Sequence, residues 1–307
     1  MKTINLNEIK DQQMLAKNWL DSYDTIFTDC DSSIWQDDEA IAGAPETINA
    51  MQDMGKQVYF VTNNCTKTSA QLCEKGAKLG FSIKKEQIIA PNYCIAEYLK
   101  LHLKPEEKVY IVGCPAMGEE LDSVNIQHFG VGEDIVEPNW VSILPQVDRQ
   151  AKTEKIGAVL VGFDEHFSYN KMIKASNFLG QNEKCIFLAT NADAVSKFPK
   201  FSIPGTGAIL RGIEACVGRE AKVVGKPNPL FCAHLLEAGK VDPKRTLMIG
   251  DCYKADVLFG KNCGFSTLLV GTGRYKWSDV EKLHREDLRD YIPDFYADSV
   301  ADLRAYL

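Results

Sequence analysis

Short apolar runs alternate with longer polar, helix-patterned stretches along this chain, and their order predicts a parallel sheet with crossover helices. Residues Leu6–Leu20 read as a polar helix leading into Thr25-Ile26-Phe27-Thr28, a buried strand that stops at Asp29. Glu46–Met54 reads as a helix ended by Gly55, and Gln57–Val61 as a strand running into Thr62-Asn63-Asn64. A helix over Ser69–Leu79 closes at Gly80, and another covers Pro91–Leu101. Strand, helix, strand, helix is the rhythm of crossover units.

The middle of the chain has elements of its own. Lys108–Gly113 reads as a strand, and Gly130–Gln150 is poor in periodicity. Strand Ile156–Phe163, helix Tyr169–Leu179 and strand Cys185–Ala189 follow. A loop over Thr190–Gly207, with Pro199, Pro204, Gly205 and Gly207, precedes a helix at Ala208–Cys216. So many elements argue for an inserted α/β domain rather than a long loop. The first rhythm then resumes. Lys222-Val223-Val224 leads to Gly225-Lys226-Pro227, and helix Pro229–Ala238 to strand Thr246–Ile249 and Gly250-Asp251. Helix Ala255–Lys261, strand Ser266–Val270, strand Phe295–Ala297 and helix Val300–Tyr306 finish the chain. The expected organisation is a core over 1–100 plus 221–307 and an inserted domain over 101–220.

Bulk properties narrow the class. With 307 residues, 45% apolar and 25% charged, the chain has room for a sizeable core and two domains. A net charge of −7 argues against a general nucleic-acid or anionic-membrane binder. The ten cysteines are scattered with no Cys-x-x-Cys pair, which reads as reduced thiols. Met1–Leu20 lacks the apolar core of a signal peptide and the length of a membrane span, so the expected location is the cytoplasm.

Four strand ends carry polar groups: Asp29 with Asp31, Thr62 with Asn63 and Asn64, Lys226, and Asp251 with Asp256. In an open parallel sheet such tips converge on one crevice. The inventory suits a phosphoester. Asp29 and Asp251 offer hard oxygen ligands for Mg²⁺, which offsets the repulsion between carboxylates and a phosphate dianion. Lys226 adds a positive point charge, and the Thr62 hydroxyl with loop N–H groups can hold phosphoryl oxygens. Of Asp29 and Asp31, one can attack phosphorus while the other shuttles a proton. Asp-x-Asp after a strand also serves as turn and N-cap chemistry, and Asn191 and Asp193 further on equally suit a turn.

The series Asp29-Cys30-Asp31, Thr62-Asn63-Asn64, Gly225-Lys226-Pro227 and Gly250-Asp251 with Asp256 resembles the four signature motifs of haloacid dehalogenase-type phosphatases. Each motif alone is weak; four in order are strong. Ala189-Thr190-Asn191-Ala192-Asp193 and Pro204-Gly205-Thr206-Gly207 look like the α/β cap of the branch holding the 4-nitrophenyl, phosphoglycolate and pyridoxal phosphate phosphatases. With Trp35 and Gly225-Lys226-Pro227-Asn228-Pro229, the likeness covers nearly all the chain after about residue 20.

The resemblance implies a Rossmann-like parallel-sheet core with helices on both faces and an inserted α/β cap. It makes Asp29 the nucleophile and Asp31 the general acid/base. Mg²⁺ would be held by the Asp29 carboxylate, the Asp31 backbone carbonyl and Asp251, with Asp256 in support. Thr62 and Lys226 would bind the phosphoryl group, with Asn63 and Asn64 completing the substrate loop. The implied partner is a small phosphorylated metabolite, with neither nucleic acid nor membrane, and relatives often dimerise through the cap. Phosphoglycolate is the first expected substrate and 4-nitrophenyl phosphate the artificial one; pyridoxal phosphate or a phosphoprotein is the second expectation. Two departures raise a third, a phospho-ligand binder without turnover. Ser32 stands where the family usually has Gly, a residue free to adopt unusual angles. Cys252-Tyr253-Lys254-Ala255 replaces the usual Arg-x-x-Thr between the two acids, and Lys254 brings a positive charge near the metal site.

Overall fold

The computed structural model describes residues 3–9, 19–134, 140–197 and 201–307. They form two compact units, one of residues 1–62, 69–89 and 226–307, the other of 63–68 and 90–225. The second is an insertion in the chain of the first, and the helix Pro91–His102 belongs to it. No described helix is long and apolar enough to cross a membrane.

The first unit is built on a seven-stranded sheet, parallel at every pairing. Its order is Ile4–Asn5, Phe295–Ala297, Ser266–Val270, Thr246–Gly250, Thr25–Asp29, Gln57–Val61, Ile88–Ile89. Parallel neighbours need crossovers, which helices such as Ala44–Asp53 and Leu258–Cys263 supply. All five residues of Thr25–Asp29 are buried, as a continuous apolar, β-branched run requires of a central parallel strand. Ile249 pairs with Thr28 and Val61 with Asp29, so the chain segments that follow these strands leave side by side. The second unit has its own parallel sheet, ordered Lys222–Val223, Ile186–Ala189, Ile156–Val161, Lys108–Val112, His128–Phe129. Its core gathers Tyr110, Val159, Val161, Phe178, Leu210 and Ile213. The class is α/β throughout.

Several local expectations change. The helix expected over Leu6–Leu20 is seen at Leu6–Ile9, and residues 10–18 lie outside the described ones. In the stretch without periodicity, a 3₁₀ turn at Trp140–Ile143 leads into an α-helix at Leu144–Thr153. That helix buries only Val147, with Ala151 half-buried against the same core, so its apolar face is narrow. The loop Thr190–Gly207 contains an antiparallel pair, Val195–Lys197 with Ser202–Pro204, and its helix begins at Thr206. Pro229–Ala238 divides into a 3₁₀ turn, Pro229–Cys232, and a short helix, Ala233–Glu237. The last helix, Val300–Tyr306, is 3₁₀. Two further helices, Pro115–Ser123 and Trp277–Arg285, went unassigned in the sequence.

Candidate active site

Asp29 ends the central strand with 7% of its surface exposed. The turn after it is tight: the Cys30 carbonyl accepts the N–H groups of Ser33, Ile34 and Trp35. Ser32 sits inside this turn at φ 67°, and its N–H donates to the Trp35 carbonyl at 2.7 Å. The left-handed backbone explains the usual glycine here, since an L-residue is costly at that angle. Ser32 holds it, with its hydroxyl on Gln36 and its carbonyl accepting from the Thr272 hydroxyl.

The Lys226 ammonium is buried and bridges two carboxylates, at 2.5 Å from Asp29 Oδ1 and 2.7 Å from Asp256 Oδ1. It also donates to the Val61 carbonyl at 3.3 Å. The other oxygen of Asp29, Oδ2, accepts from the fully buried Ser33 hydroxyl at 2.8 Å.

Asp251 follows the neighbouring strand, where its Oδ2 accepts the Arg274 N–H at 3.0 Å. Asp256 lies within a π-helical turn, Tyr253–Val257, where the expected helix over Ala255–Lys261 was to begin; the α-helix itself runs over Leu258–Cys263. Such a turn is a common device at functional sites. Here the Cys252 carbonyl accepts the Asp256 N–H at 2.7 Å while Asp256 Oδ2 accepts the Cys252 N–H at 2.9 Å. Gly250 makes room for this: a Cβ there would fall 2.2 Å from the Asp256 carboxyl carbon. Lys254, on the same turn, is exposed with its ammonium 5.9 Å from the Tyr253 ring centroid.

Asp31 is placed differently. Its Oδ1 accepts the Trp35 indole N–H at 2.9 Å and its Oδ2 the Thr62 hydroxyl at 3.1 Å. Asn63 and Asn64 fall in the second unit. There the Asn63 carbonyl accepts from the Asn191 amide at 3.1 Å, and its own amide meets Asp193 at 3.4 Å. Asn64 caps a turn by accepting the Thr66 N–H and hydroxyl. Asn191 and Asp193 do perform turn duty, with the Asp193 N–H on Asn191 Oδ1.

Carboxylate oxygens of Asp29, Asp251 and Asp256 lie within 4.8 Å of one another, a set that could hold a metal ion. Burial pushes Asp29 up to about 7, Asp256 and Asp31 adding repulsion against the pull of Lys226. Asp251 rises to about 6, through burial and the charge of Asp29. Asp256 is also raised by burial, against Lys226. Burial alone would lower Lys226, but the charges of Asp256 and Asp29 outweigh it and hold the ammonium charged. One ammonium therefore leaves carboxylate charge unmatched, and three hard oxygen donors fit a divalent cation that would relieve it.

Sequence reasoning brought together Asp29, Asp31, Thr62, Lys226, Asp251 and Asp256, all in the first unit. It missed Ser33, whose signal was its place four residues after Asp29. It also missed Lys75, 3.9 Å from Asp31 Oδ1, and the loop at Gly273–Arg274 that presses on Asp251. Nothing local in the sequence marks these last two.

A family model described as haloacid dehalogenase-like hydrolase matches residues 26–127, and a related model, HAD-hydrolase-like, matches 223–303. The chain is 35% identical to a glycerol-3-phosphate phosphatase of Mus musculus, over 94% of this chain and 92% of that one. It is 32% identical to the chloroplastic phosphoglycolate phosphatase 1A of Arabidopsis thaliana, over 94% and 78% of the two chains. Among solved structures, a p-nitrophenyl phosphatase from Archaeoglobus fulgidus superposes with a TM-score of 0.78 at 25% identity, covering 93% of this chain and 99% of that one. With the four strand-end motifs in order and relatives that span nearly its whole length, the chain belongs to the haloacid dehalogenase-like hydrolases.

Proposed function

We propose that this chain is a Mg²⁺-dependent phosphatase of small phosphomonoesters, working through an aspartyl-phosphate. The observation that carries the reading is the Lys226 ammonium set between Asp29 and Asp256, with Asp251 close enough for all three carboxylates to share a cation. Mg²⁺ would be held by Asp29, the Asp31 carbonyl and Asp251, supported by Asp256. Its contribution is to offset the charge of carboxylates and phosphoryl oxygens brought together.

A carboxylate oxygen of Asp29 attacks phosphorus as the bond to the leaving oxygen breaks. Asp31 gives its proton to that oxygen, so an alcohol departs rather than an alkoxide. Asp31 then takes a proton from water, which attacks phosphorus and releases Asp29 and inorganic phosphate. Lys226 and the Thr62 hydroxyl bind the phosphoryl oxygens, with Asn63 and Asn64 completing the substrate loop.

The relatives' names, glycerol-3-phosphate and phosphoglycolate phosphatase, support a short, polar alcohol as that group. Phosphate release from a panel of both esters, pyridoxal phosphate and 4-nitrophenyl phosphate tests this, with Mg²⁺ and then with chelator. Turnover should need Mg²⁺ and vanish in Asp29→Asn. No release from any ester, or equal release by the variant, would sink the proposal.

A further inference from the structure

Asp31 needs an anchor that Asp29 does not. Its side chain is 45% exposed, so several rotamers are sterically open to it, and only some aim the carboxyl at a departing oxygen. Two donors meet its two oxygens, the Trp35 indole N–H on Oδ1 and the Thr62 hydroxyl on Oδ2. The two partners differ chemically. A hydroxyl donates or accepts, whereas indole N–H only donates. Trp35 therefore keeps Oδ1 an acceptor whether Asp31 is charged or not. The weaker acceptor demand falls on Oδ2, where Thr62 can turn its hydroxyl to accommodate a proton.

Trp35 is built to stay in place. It is fully buried, its ring lies edge-on to Phe81 at 5.8 Å, and Asp31 and Trp35 form an isolated parallel bridge. The helix Ser69–Lys78 packs beside the ring at Gly76, where a Cβ would meet the indole at an ordinary contact of 3.6 Å and Ile83 more tightly at 3.1 Å. From the preceding position of the helix, Lys75 lays its ammonium 5.0 Å from the Trp35 ring centroid and 3.9 Å from Asp31 Oδ1. A cation on the face of an indole draws electron density from it and makes its N–H a stronger donor. One lysine thus strengthens the hydrogen bond and attracts the same carboxylate oxygen.

We infer that Trp35 and Lys75 are positioning residues that fix the orientation of Asp31, and so set how well the enzyme expels a leaving group that needs a proton. The inference rests on the phosphatase reading above and deepens it. Its consequence is selective. An alkyl phosphate must be protonated as its P–O bond breaks, while 4-nitrophenolate leaves unaided as a stable anion. kcat/KM reports the steps through leaving-group departure, so it isolates this role of Asp31 from its later one with water.

The test compares kcat/KM for glycerol 3-phosphate and 4-nitrophenyl phosphate in the native chain, Trp35→Phe, Lys75→Met and Lys75→Arg. Trp35→Phe keeps an aromatic ring, removes the N–H and leaves a smaller ring in the buried pocket. With acid catalysis typically contributing about 10²–10⁴-fold, Trp35→Phe should lose about 10–100-fold on the alkyl ester and less than about threefold on the aryl ester. Lys75→Met should shift the ratio the same way by a smaller factor, and Lys75→Arg should restore it. Equal losses on both esters, the mark of a merely structural role, would overturn the inference, as would an unchanged ratio. Should Trp35→Phe not fold, Lys75→Met and Lys75→Arg decide the matter alone. A native chain that releases phosphate from neither ester defeats the phosphatase reading itself, before any variant is compared.

Discussion

The Lys226 ammonium lies 2.5 Å from Asp29 Oδ1, with both side chains nearly removed from solvent. Breaking such a pair strands a buried charge. Yet the pair is not a closed unit, because Asp256 and Asp251 crowd the same lysine and the same aspartate. Metal-free, the site stores electrostatic repulsion, and stability must follow pH. Asp29 rises from 3.8 to about 7 and Asp251 from 3.8 to about 6. For groups raised in the folded state, the associated stability is complete below the unfolded value and is lost as pH climbs through the folded one. In chelator, the melting temperature should therefore fall between about pH 4 and pH 7, and excess Mg²⁺ should remove most of that fall. Thermal melts across this range, with and without Mg²⁺, check it; a flat profile in chelator would contradict the argument.

Ser33 gives its hydroxyl to Asp29 Oδ2 from a site with no exposure. Lys226 holds the other oxygen, so together they pin both ends of the carboxylate. Ser33→Ala removes a hydrogen bond to a charged group, worth about 1.5–3 kcal/mol where the acceptor is left unpaired. Phosphatase activity should drop about tenfold or more through loss of aim. Initial rates at saturating Mg²⁺, with denaturant melts alongside, separate the loss of aim from loss of fold. Unchanged rates would show that Lys226 alone suffices.

How much of this was legible in the sequence follows from what each feature depends on. The parallel core was readable because buried parallel strands leave continuous apolar runs such as Thr25–Thr28 and Leu247–Ile249, and their ends carried the acids in plain view. Leu144–Thr153 was hidden because its apolar face is narrow, Val147 buried with Ala151 half-buried one turn on. Trp277–Arg285 was readable in principle, with Trp277, Val280 and Leu283 at helical spacing behind an Asp279 that accepts the Lys276 N–H. Ser32 was recognised as a departure, but its cost needed the backbone angle. Lys75 and Gly273 are brought to the acids by tertiary packing alone, over separations that no local pattern encodes.

Ser32 occupies a left-handed backbone at φ 67°, where an L-residue is costly and glycine is not. Ser32→Gly relieves that cost but frees the unfolded chain, so stability should stay within about 1 kcal/mol of native. Activity should be kept, since among the described residues the hydroxyl reaches only Gln36. Ser32→Val, β-branched at the same angle, should be clearly less stable and less active. Denaturant midpoints and kcat/KM for the three proteins check the order. A large activity loss in Ser32→Gly would instead give the serine hydroxyl a part in turnover.

Gly273 is pressed against a proposed metal ligand. A Cβ at this position would fall 1.9 Å from Asp251 Oδ2, the oxygen that the next residue's N–H holds at 3.0 Å. The glycine is required by close approach rather than by backbone angle, so Gly273→Ala must move either the loop or the carboxylate. Either movement breaks the Arg274 N–H contact that orients Asp251. Loss of such an outer contact commonly costs about 10–100-fold in metal affinity, so the Mg²⁺ concentration for half-maximal activity should rise by a factor in that range. At saturating Mg²⁺ much of the rate should return, because the atoms nearest an added Cβ all belong to Asp251. Activity titrated with Mg²⁺ in the native and variant chains distinguishes the cases. A variant whose half-maximal Mg²⁺ is unchanged would show that Asp251 is held by something other than this backbone.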